Sequence, residues 1–157
     1  MATRVWHGYD GTTPKDWSDT GNWYGGVVPV ASDNVIIPAG SNDIDAGLDQ
    51  SAVTLGDIIV EDGYAGSIGV LSSGTRTYLQ VVAGRFEFHA TGGQSLIDLG
   101  SSNIPARITN TGRQAAGQFG LYLKGTSLNE VGVNGGSVGI AAFADESSTV
   151  ADLRVSG

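Results

Sequence analysis

One short loop concentrates the side chains that are best suited to bind a metal ion. The segment NDIDAGLD, residues 42–49, carries the carboxylates of Asp43, Asp45 and Asp49. Calcium takes about six to eight oxygen ligands, and a flexible acidic loop could supply several of them. The segment lacks the distal glutamate of an EF-hand, however, and its carboxylates are too few on their own. We therefore interpret it as a solvated connection and predict no bound metal, with calcium as the alternative.

The other polar residues form no pattern that is typical of a catalytic site. His7 and His89 are the only histidines and lie far apart in the chain, and no spacing suggests the third ligand that a metal site would need. The segment GGSVG at residues 135–139 fits the pattern G-x-S-x-G, but it lies among short strand patterns and lacks the strand-to-helix context of a nucleophile elbow. Polysaccharide cleavage would need paired carboxylates on one face, but the acidic candidates are scattered: Asp57, Glu61, Glu87, Asp98, Glu130 and Asp145. We predict that the chain is not an enzyme, has no catalytic residues and binds no cofactor.

Three tryptophans occur in the first part of the chain. Trp6, Trp17 and Trp23 can each bury a large apolar area while the indole N–H reaches a hydrogen-bond acceptor. The favoured interpretation is therefore that they form core and cap. Because exposed aromatic rings also stack on sugar rings, a sugar-binding platform is the alternative.

The elements that must position these residues are strands. Helical periodicity is nearly absent, whereas short apolar or alternating runs are separated by Gly, Asn, Asp and Ser. The runs are NVIIP, AVTLGDIIV, GSIGVL, TYLQVV, RFEFH, SLIDL, ARIT, FGLYLKG, LNEVGV, SVGIAAFA and VADLRV. From Val53 onward they recur every ~8–14 residues, a spacing that allows a sandwich, a barrel or a solenoid.

Two observations favour a solenoid. The dipeptides of tight hairpin turns are few, with Asn134-Gly135 as the one Asn-Gly pair. The segments that begin at Thr77 and Gly120 resemble each other at an offset of about 43 positions, which suits two coils of about 21 residues. We predict an all-β fold, a parallel β-helix of about five coils, with a β-sandwich as the alternative.

The inward positions of such a solenoid stack into apolar ladders from coil to coil. The predicted interior comprises Val81, Phe86, Phe88, Leu96, Ile97, Leu99, Ile108, Leu121, Leu123, Val131, Val133, Val138, Ile140, Phe143 and Leu153.

The opening segment carries a specific motif. Its residues are Trp17, Asn22, Trp23, Gly26, Pro29, Asp33, Val35, Ile37 and Pro38, in the pattern W-x(4)-N-W-x-x-G-x-x-P-x-x-x-D-x-V-x-I-P. This pattern resembles the segment that introduces β-helical repeats in bacterial autotransporter-type and adhesin-like proteins and in some phage virion proteins. The resemblance implies a structural segment. We therefore predict an N-terminal arm or cap at residues 1–40 and a β-helix domain at residues 41–157.

Charge and composition limit the partners. The net charge is −8, the chain has no Cys, and its basic residues do not cluster. We therefore expect no direct contact with nucleic acid, no disulfide and no thiol chemistry. No segment approaches the ~18 apolar residues that a membrane span needs. The start, MATRVWHGYDG, lacks the apolar region of a signal peptide, which predicts synthesis in the cytoplasm without conventional export.

A virion component accounts for these features together, because viral proteins are made in the host cytoplasm and must then survive outside it. We predict a phage structural protein, a capsid decoration (cement) protein that binds the major capsid protein on the outer surface of the virion, as a homotrimer. The last run, VADLRV, has no covering element, which is why a partner is expected there. The predicted interface and cap residues are Trp6, Trp17, Trp23, Tyr24, Pro29 and Asp33. The alternatives are a tail fibre or spike component that binds host glycan and a fragment of a bacterial surface adhesin.

Overall fold

The computed structural model describes residues 1–90, 92–100, 104–108, 121–124, 128–134, 138–140 and 150–156. In this part of the chain the structure is all-β, and its one helical element is a 3₁₀ turn at Thr20–Asn22. The strands are β1 (Thr3–Val5), β2 (Asn34–Ile37), β3 (Asp49–Val60), β4 (Val70–Ser72), β5 (Thr75–Thr77), β6 (Leu79–Phe88), β7 (Ser95–Asp98), β8 (Ile104–Ile108), β9 (Leu121–Lys124), β10 (Leu128–Asn134), β11 (Val138–Ile140) and β12 (Val150–Ser156).

The strands wind into a parallel solenoid of about 4 turns. In a first column, β1, β2, β3, β6, β8, β10 and β12 follow one another, and each pairs in parallel with the next. In a second column, Ile44, Ile68, Ser95 of β7, Leu121 of β9 and Val138 of β11 are paired in parallel in the same way. The predicted parallel β-helix is therefore confirmed, with about 4 turns in place of the expected five. The sandwich alternative is wrong because the ladders are parallel.

The internal similarity of the sequence follows from this winding. Ser95 pairs with Leu121, and Leu121 pairs with Val138. Positions about 43 residues apart therefore lie two turns apart here, as the repeat predicted. The two turns are unequal, because Ser95 and Leu121 are further apart in the chain than Leu121 and Val138.

Inward side chains stack from turn to turn into the core. Val35 of β2, Ile58 of β3 and Phe86 of β6 occupy paired positions, and each is at most 1% exposed. Alternate residues of a strand face the same side, so the positions two further along form the next layer. That layer consists of Ile37, Val60 and Phe88. Full burial of each such side chain contributes about 1.5–3 kcal/mol to stability.

Most of the predicted interior that the structure describes is buried in the core. The confirmed residues are Val81, Phe86, Phe88, Ile97, Leu99, Ile108, Leu121 and Leu123. Leu96 is buried as well, but in a separate cluster with Tyr78 and Tyr122, so its assignment to the interior is wrong. It faces outward because its neighbour Ile97 faces inward. For Val131, Val133, Val138, Ile140 and Leu153 the structure describes the strands but not the burial of the side chains, and Phe143 lies outside the described residues.

A hairpin is inserted into the second turn. β4 and β5 are the one antiparallel strand pair among the described strands, and Ser73 and Gly74 join them. Both joining residues have positive φ, 49° and 85°, as in a type I′ turn. The run GSIGVL was predicted as a strand of a coil, and this prediction is wrong because the run enters a hairpin whose Ser73-Gly74 turn lacks the Asn-Gly sequence. The hairpin reaches the outer cluster, where the Arg76 guanidinium carbon lies 5.0 Å from the centre of the Tyr122 ring.

The opening segment shares the sheet and the core of the solenoid. β1 pairs with β2, and β2 pairs with β3 across the predicted boundary at residue 40. Trp6, Trp17 and Trp23 belong to the same buried cluster as Val35 and Ile58. The cap is thus built around the first turn of the solenoid.

Candidate functional site

The three tryptophans form one buried group inside the cap. Trp6, Trp17 and Trp23 are at most 2% exposed. The ring centres of Trp17 and Trp23 lie 4.8 Å apart, and those of Trp6 and Trp23 lie 5.1 Å apart, both edge to face. The Trp6 indole N–H donates to the Asn42 carbonyl at 2.9 Å, and that of Trp23 donates to the Trp17 carbonyl at 2.8 Å. A sugar platform made of these rings is therefore wrong, since their faces are not accessible.

Asn22 organises the loop that encloses the tryptophans. Its side chain is fully buried. The amide nitrogen donates to the carbonyls of Thr13 at 2.7 Å and Asp16 at 3.0 Å, and the amide oxygen accepts the Asp10 N–H at 2.8 Å. One amide thus satisfies three backbone groups of an irregular loop, which explains its place in the motif.

Asp33 ties the beginning of the chain to the turn before β2. Its carboxylate accepts the Ala2 N–H at 2.7 Å and the Arg4 Nε–H at 2.7 Å, and it is 3% exposed. The Arg4 side chain and then the Ala2 N–H hold the pKa of Asp33 below its ordinary value of 3.8. Pro29 is buried beside this turn. Both residues therefore fix the geometry of the cap from within.

The acidic loop is neutralised by a lysine from the cap. The Lys15 ammonium lies 2.8 Å from an Asp43 oxygen and 3.7 Å from an Asp45 oxygen. The side chain of Asp49 instead turns to Ser51, accepting its hydroxyl proton at 2.7 Å. Within the described residues no group of three or more possible ligand side chains converges. A calcium ion at Asp43 and Asp45 would have to displace Lys15, so the geometry favours the solvated connection.

Three of the acidic residues considered for catalysis, Asp57, Glu87 and Asp98, are bound to basic neighbours. The Arg85 guanidinium contacts Asp57 at 2.6 Å and Glu87 at 3.1 Å. On the second column, the Lys124 ammonium lies 3.8 Å from Asp98. Asp57 on β3 and Glu87 on β6 share the Arg85 guanidinium between them, and Asp98 on β7 is paired with Lys124. The side chains of Glu130 and Asp145 lie outside the described residues.

The outer surface of the cap carries exposed aromatic rings. Trp6 and Trp23 form an antiparallel bridge with both side chains inward, so the adjacent His7 and Tyr24 point outward. Their ring centres lie 4.9 Å apart. On the other side of His7 lies Tyr9, with nearly parallel rings 6.4 Å apart. Tyr9 and Tyr24 are 62% and 63% exposed. We call His7, Tyr9 and Tyr24 the aromatic patch.

Tyr24 of this patch was predicted as an interface residue, whereas His7 and Tyr9 were not. The alternation that puts Tyr24 outside was available from Trp23 beside it. The contact with Tyr9 depends on two loops that meet only in the folded chain: the Tyr9 hydroxyl donates to the Gly40 carbonyl at 2.9 Å.

The segment of the chain that carries the patch is acidic. Residues 1–50 contain no basic side chains other than Arg4 and Lys15, against the aspartates at positions 10, 16, 19, 33, 43, 45 and 49. Both basic groups are bound to aspartates, Arg4 to Asp33 and Lys15 to Asp43. A partner of this part of the surface would be favoured by positive charge.

Three comparisons with known proteins found no matching family model, no matching curated protein and no matching solved structure. In the described part of the chain, no helix has the length and apolar character that a membrane crossing would require.

Proposed function

We propose that this chain is a structural protein of a phage virion, a capsid decoration protein that binds the outer surface of the shell through the aromatic patch. The proposal rests on the distribution of exposed hydrophobic side chains along the chain. Within the described residues the large exposed ones are Met1, Tyr9, Tyr24, Val27, Val30 and Leu71. All but Leu71 belong to the opening segment. Concentrated exposure of apolar groups at one part of a surface is typical of a protein contact.

The tyrosines of the patch are suited to be the anchors of such a contact. Tyrosine is enriched among the residues that dominate binding energy, because it offers a large area with few rotatable bonds. Tyr9 is already held in place: its backbone N–H donates to His7 Nδ1 at 3.1 Å, and its hydroxyl donates to Gly40. Little conformational entropy is then lost on docking.

The rest of the molecule supports a role in reinforcement. The core is continuous from the tryptophans to the apolar ladders of β2, β3 and β6, so the docking surface is rigidly connected to the solenoid. The chain has no Cys and does not depend on a redox environment for this rigidity. The proposed partner is the major capsid protein, through a surface that offers positive charge near apolar pockets.

Cryo-electron microscopy of the virus particles that carry this chain tests the proposal. We expect solenoid-shaped density outside the shell, with its opening segment against the major capsid protein. Particles whose outer surface has no such density, together with mass spectra of the particles that lack its peptides, would reject the proposal.

A matched pair of variants tests the docking surface. We expect the double variant Tyr9→Ala/Tyr24→Ala to bind at least tenfold more weakly in co-sedimentation with virus particles from which the native chain has been removed. Each substitution removes an interface anchor worth about 2 kcal/mol or more. Leu71→Ala is the control, since it truncates an exposed apolar side chain outside the cap and should bind like the unaltered chain. Equal binding by both variants would exclude the aromatic patch as the docking surface.

The homotrimer is part of the same proposal. Light scattering should give three times the chain mass of 16.1 kDa at micromolar concentration. A mass of one chain over the whole concentration range would remove the trimer and leave the docking proposal in place.

A further inference from the structure

A cavity of about 280 Å³ lies on the side of the solenoid. It follows from the second column, in which Ile44, Ile68 and Ser95 pair across three turns and are buried. Since neighbours along a strand face the opposite side, the flanking residues point outward and line the cavity. These are Asp43 and Asp45 from the first turn, Ser67 and Gly69 from the second, and Gln94 and Leu96 from the third.

The inserted hairpin provides one wall of this cavity. Ile68 pairs with Ser95, and Leu79 pairs with Ile97. Ser95 and Ile97 of the third turn are only two residues apart, whereas Ile68 and Leu79 of the second turn are separated by the whole hairpin. Val70 and Leu71 of β4 line the cavity. Insertions into single repeats of a solenoid are often found on its binding face.

Gly69 keeps the floor of the cavity free of a side chain. Its φ is +77°, and a Cβ there would lie 2.6 Å from the Thr77 carbonyl oxygen and 3.0 Å from Leu96 Cβ. Both the backbone conformation and the space therefore require glycine at this position.

The polar wall consists of fixed hydrogen-bond acceptors. One Asp43 oxygen is bound to Lys15 and the other accepts the Ser67 N–H at 2.8 Å. Burial raises the pKa of Asp43, but the Lys15 and Ser67 hydrogen bonds outweigh it and the net pKa is lowered, so the group stays ionised near neutral pH. The Asp45 side chain is 44% exposed and lies further from Lys15. Gln94 adds an amide, which can both donate and accept.

Charge and size restrict what can bind. Anions are disfavoured by the two carboxylates and by the net charge of −8. The position of a bound cation between Asp43 and Asp45 is already taken by Lys15. The volume falls just below the ~300–1,000 Å³ of pockets that hold drug-sized ligands, so a smaller ligand is expected.

We infer that this cavity binds a single neutral sugar residue. Its hydroxyl groups are hydrogen-bonded to Asp43 and Asp45, and its apolar face packs against Leu71, which is exposed on β4. The site is distinct from the aromatic patch, and the inference does not depend on the virion role.

Nuclear magnetic resonance of the full ¹⁵N-labelled chain tests the inference. The probes are the methyl glycosides of glucose, galactose, mannose and N-acetylglucosamine, with methyl glucuronide as an anionic probe and butylamine as a cationic one. We expect at least one neutral glycoside to shift the amide signals of Ser67, Gly69 and Leu71 with a dissociation constant on the order of 1 mM or tighter. The anionic probe and butylamine should bind at least about tenfold more weakly.

Two variants and a control test whether the glycoside binds in this cavity. Asp45→Ala should weaken the glycoside at least about fivefold, because it removes acceptors that face the ligand. Asp49→Ala is the matched control, since the Asp49 side chain turns to Ser51 and is not part of the cavity wall. Leu71→Ala, on the apolar wall, should also weaken binding. Three results would each overturn the inference: no saturable shifts with any glycoside, tighter binding of butylamine than of the glycosides, or glycoside binding unchanged in both Asp45→Ala and Leu71→Ala.

Discussion

The loop between Asp10 and Asn22 and the strand pair β3–β6 satisfy their backbone groups by different means. In the loop, side chains do this, and Asn22 alone bonds three backbone groups. In β3 and β6, the two backbones bond to each other along a parallel ladder, which runs from Asp49 to Val60 with one register shift between Gln50 and Thr54. A ladder of that kind needs no particular side chain for its hydrogen bonds. The cap should therefore be sensitive to single substitutions of polar residues, whereas the coils should be sensitive mainly to loss of volume in the core.

The largest expected effect comes from the tryptophan group. Trp23→Ala should lower the free energy of unfolding by about 3–5 kcal/mol, because it leaves a large cavity and removes the hydrogen bond to the Trp17 carbonyl. Urea denaturation followed by circular dichroism measures this change. Trp23→Phe is the control: it keeps a ring but loses the N–H, and it should cost less. If Trp23→Ala leaves the urea midpoint unchanged, the cap does not unfold together with the coils.

The sharpest test of the comparison uses the same substitution in both regions. Asn22→Ala should cost about 2–3 kcal/mol, since it removes the acceptor of the Asp10 N–H and one of the two hydrogen bonds at each of the Thr13 and Asp16 carbonyls. Asn34→Ala, at the start of β2, removes a half-buried amide with one backbone contact, to the Asp57 N–H at 2.9 Å, and should cost about 1 kcal/mol. Chemical denaturation of both variants gives the difference. Equal losses would contradict the distinction between the irregular loop and the paired strands.

Sequence reasoning reached the features that depend on local pattern. The alternation in RFEFH puts Phe86 and Phe88 on the same face of the strand. That face is predicted to be the inner one because two large aromatic side chains are favoured in the core. It failed where distant contacts decide. In SLIDL both Leu96 and Ile97 are apolar, and the outward leucine is buried by Tyr78 and Tyr122, which are distant from it in the sequence. The Lys15–Asp43 pair and the position of Tyr9 likewise require the folded cap, since each joins segments that are far apart in sequence.

Acid should weaken the cap through Asp33. Its pKa in the folded chain lies below the ordinary value of 3.8, so its contribution to stability is present above that pH and is lost as the pH falls through the folded pKa. Asp33→Asn should therefore flatten the decline in unfolding free energy below about pH 4. Arg4→Gln should flatten it in part, because the Arg4 side chain is the main cause of the lowered pKa. Curves of stability against pH that run parallel for the unaltered chain and Asp33→Asn would contradict this.

The smallest expected effect on stability lies on the outer surface of the same cap. Tyr24→Ala removes a side chain that is 63% exposed. Because Tyr24 is next to Trp23 in the chain, Tyr24→Ala and Trp23→Ala differ only in whether the lost side chain points outward or into the core. We expect a change within about 0.5 kcal/mol, as for surface positions in general. Thermal denaturation beside Trp23→Ala measures the contrast. A loss above about 1.5 kcal/mol would mean that the patch is part of the core packing, and that its exposure does not mark a surface kept for a partner.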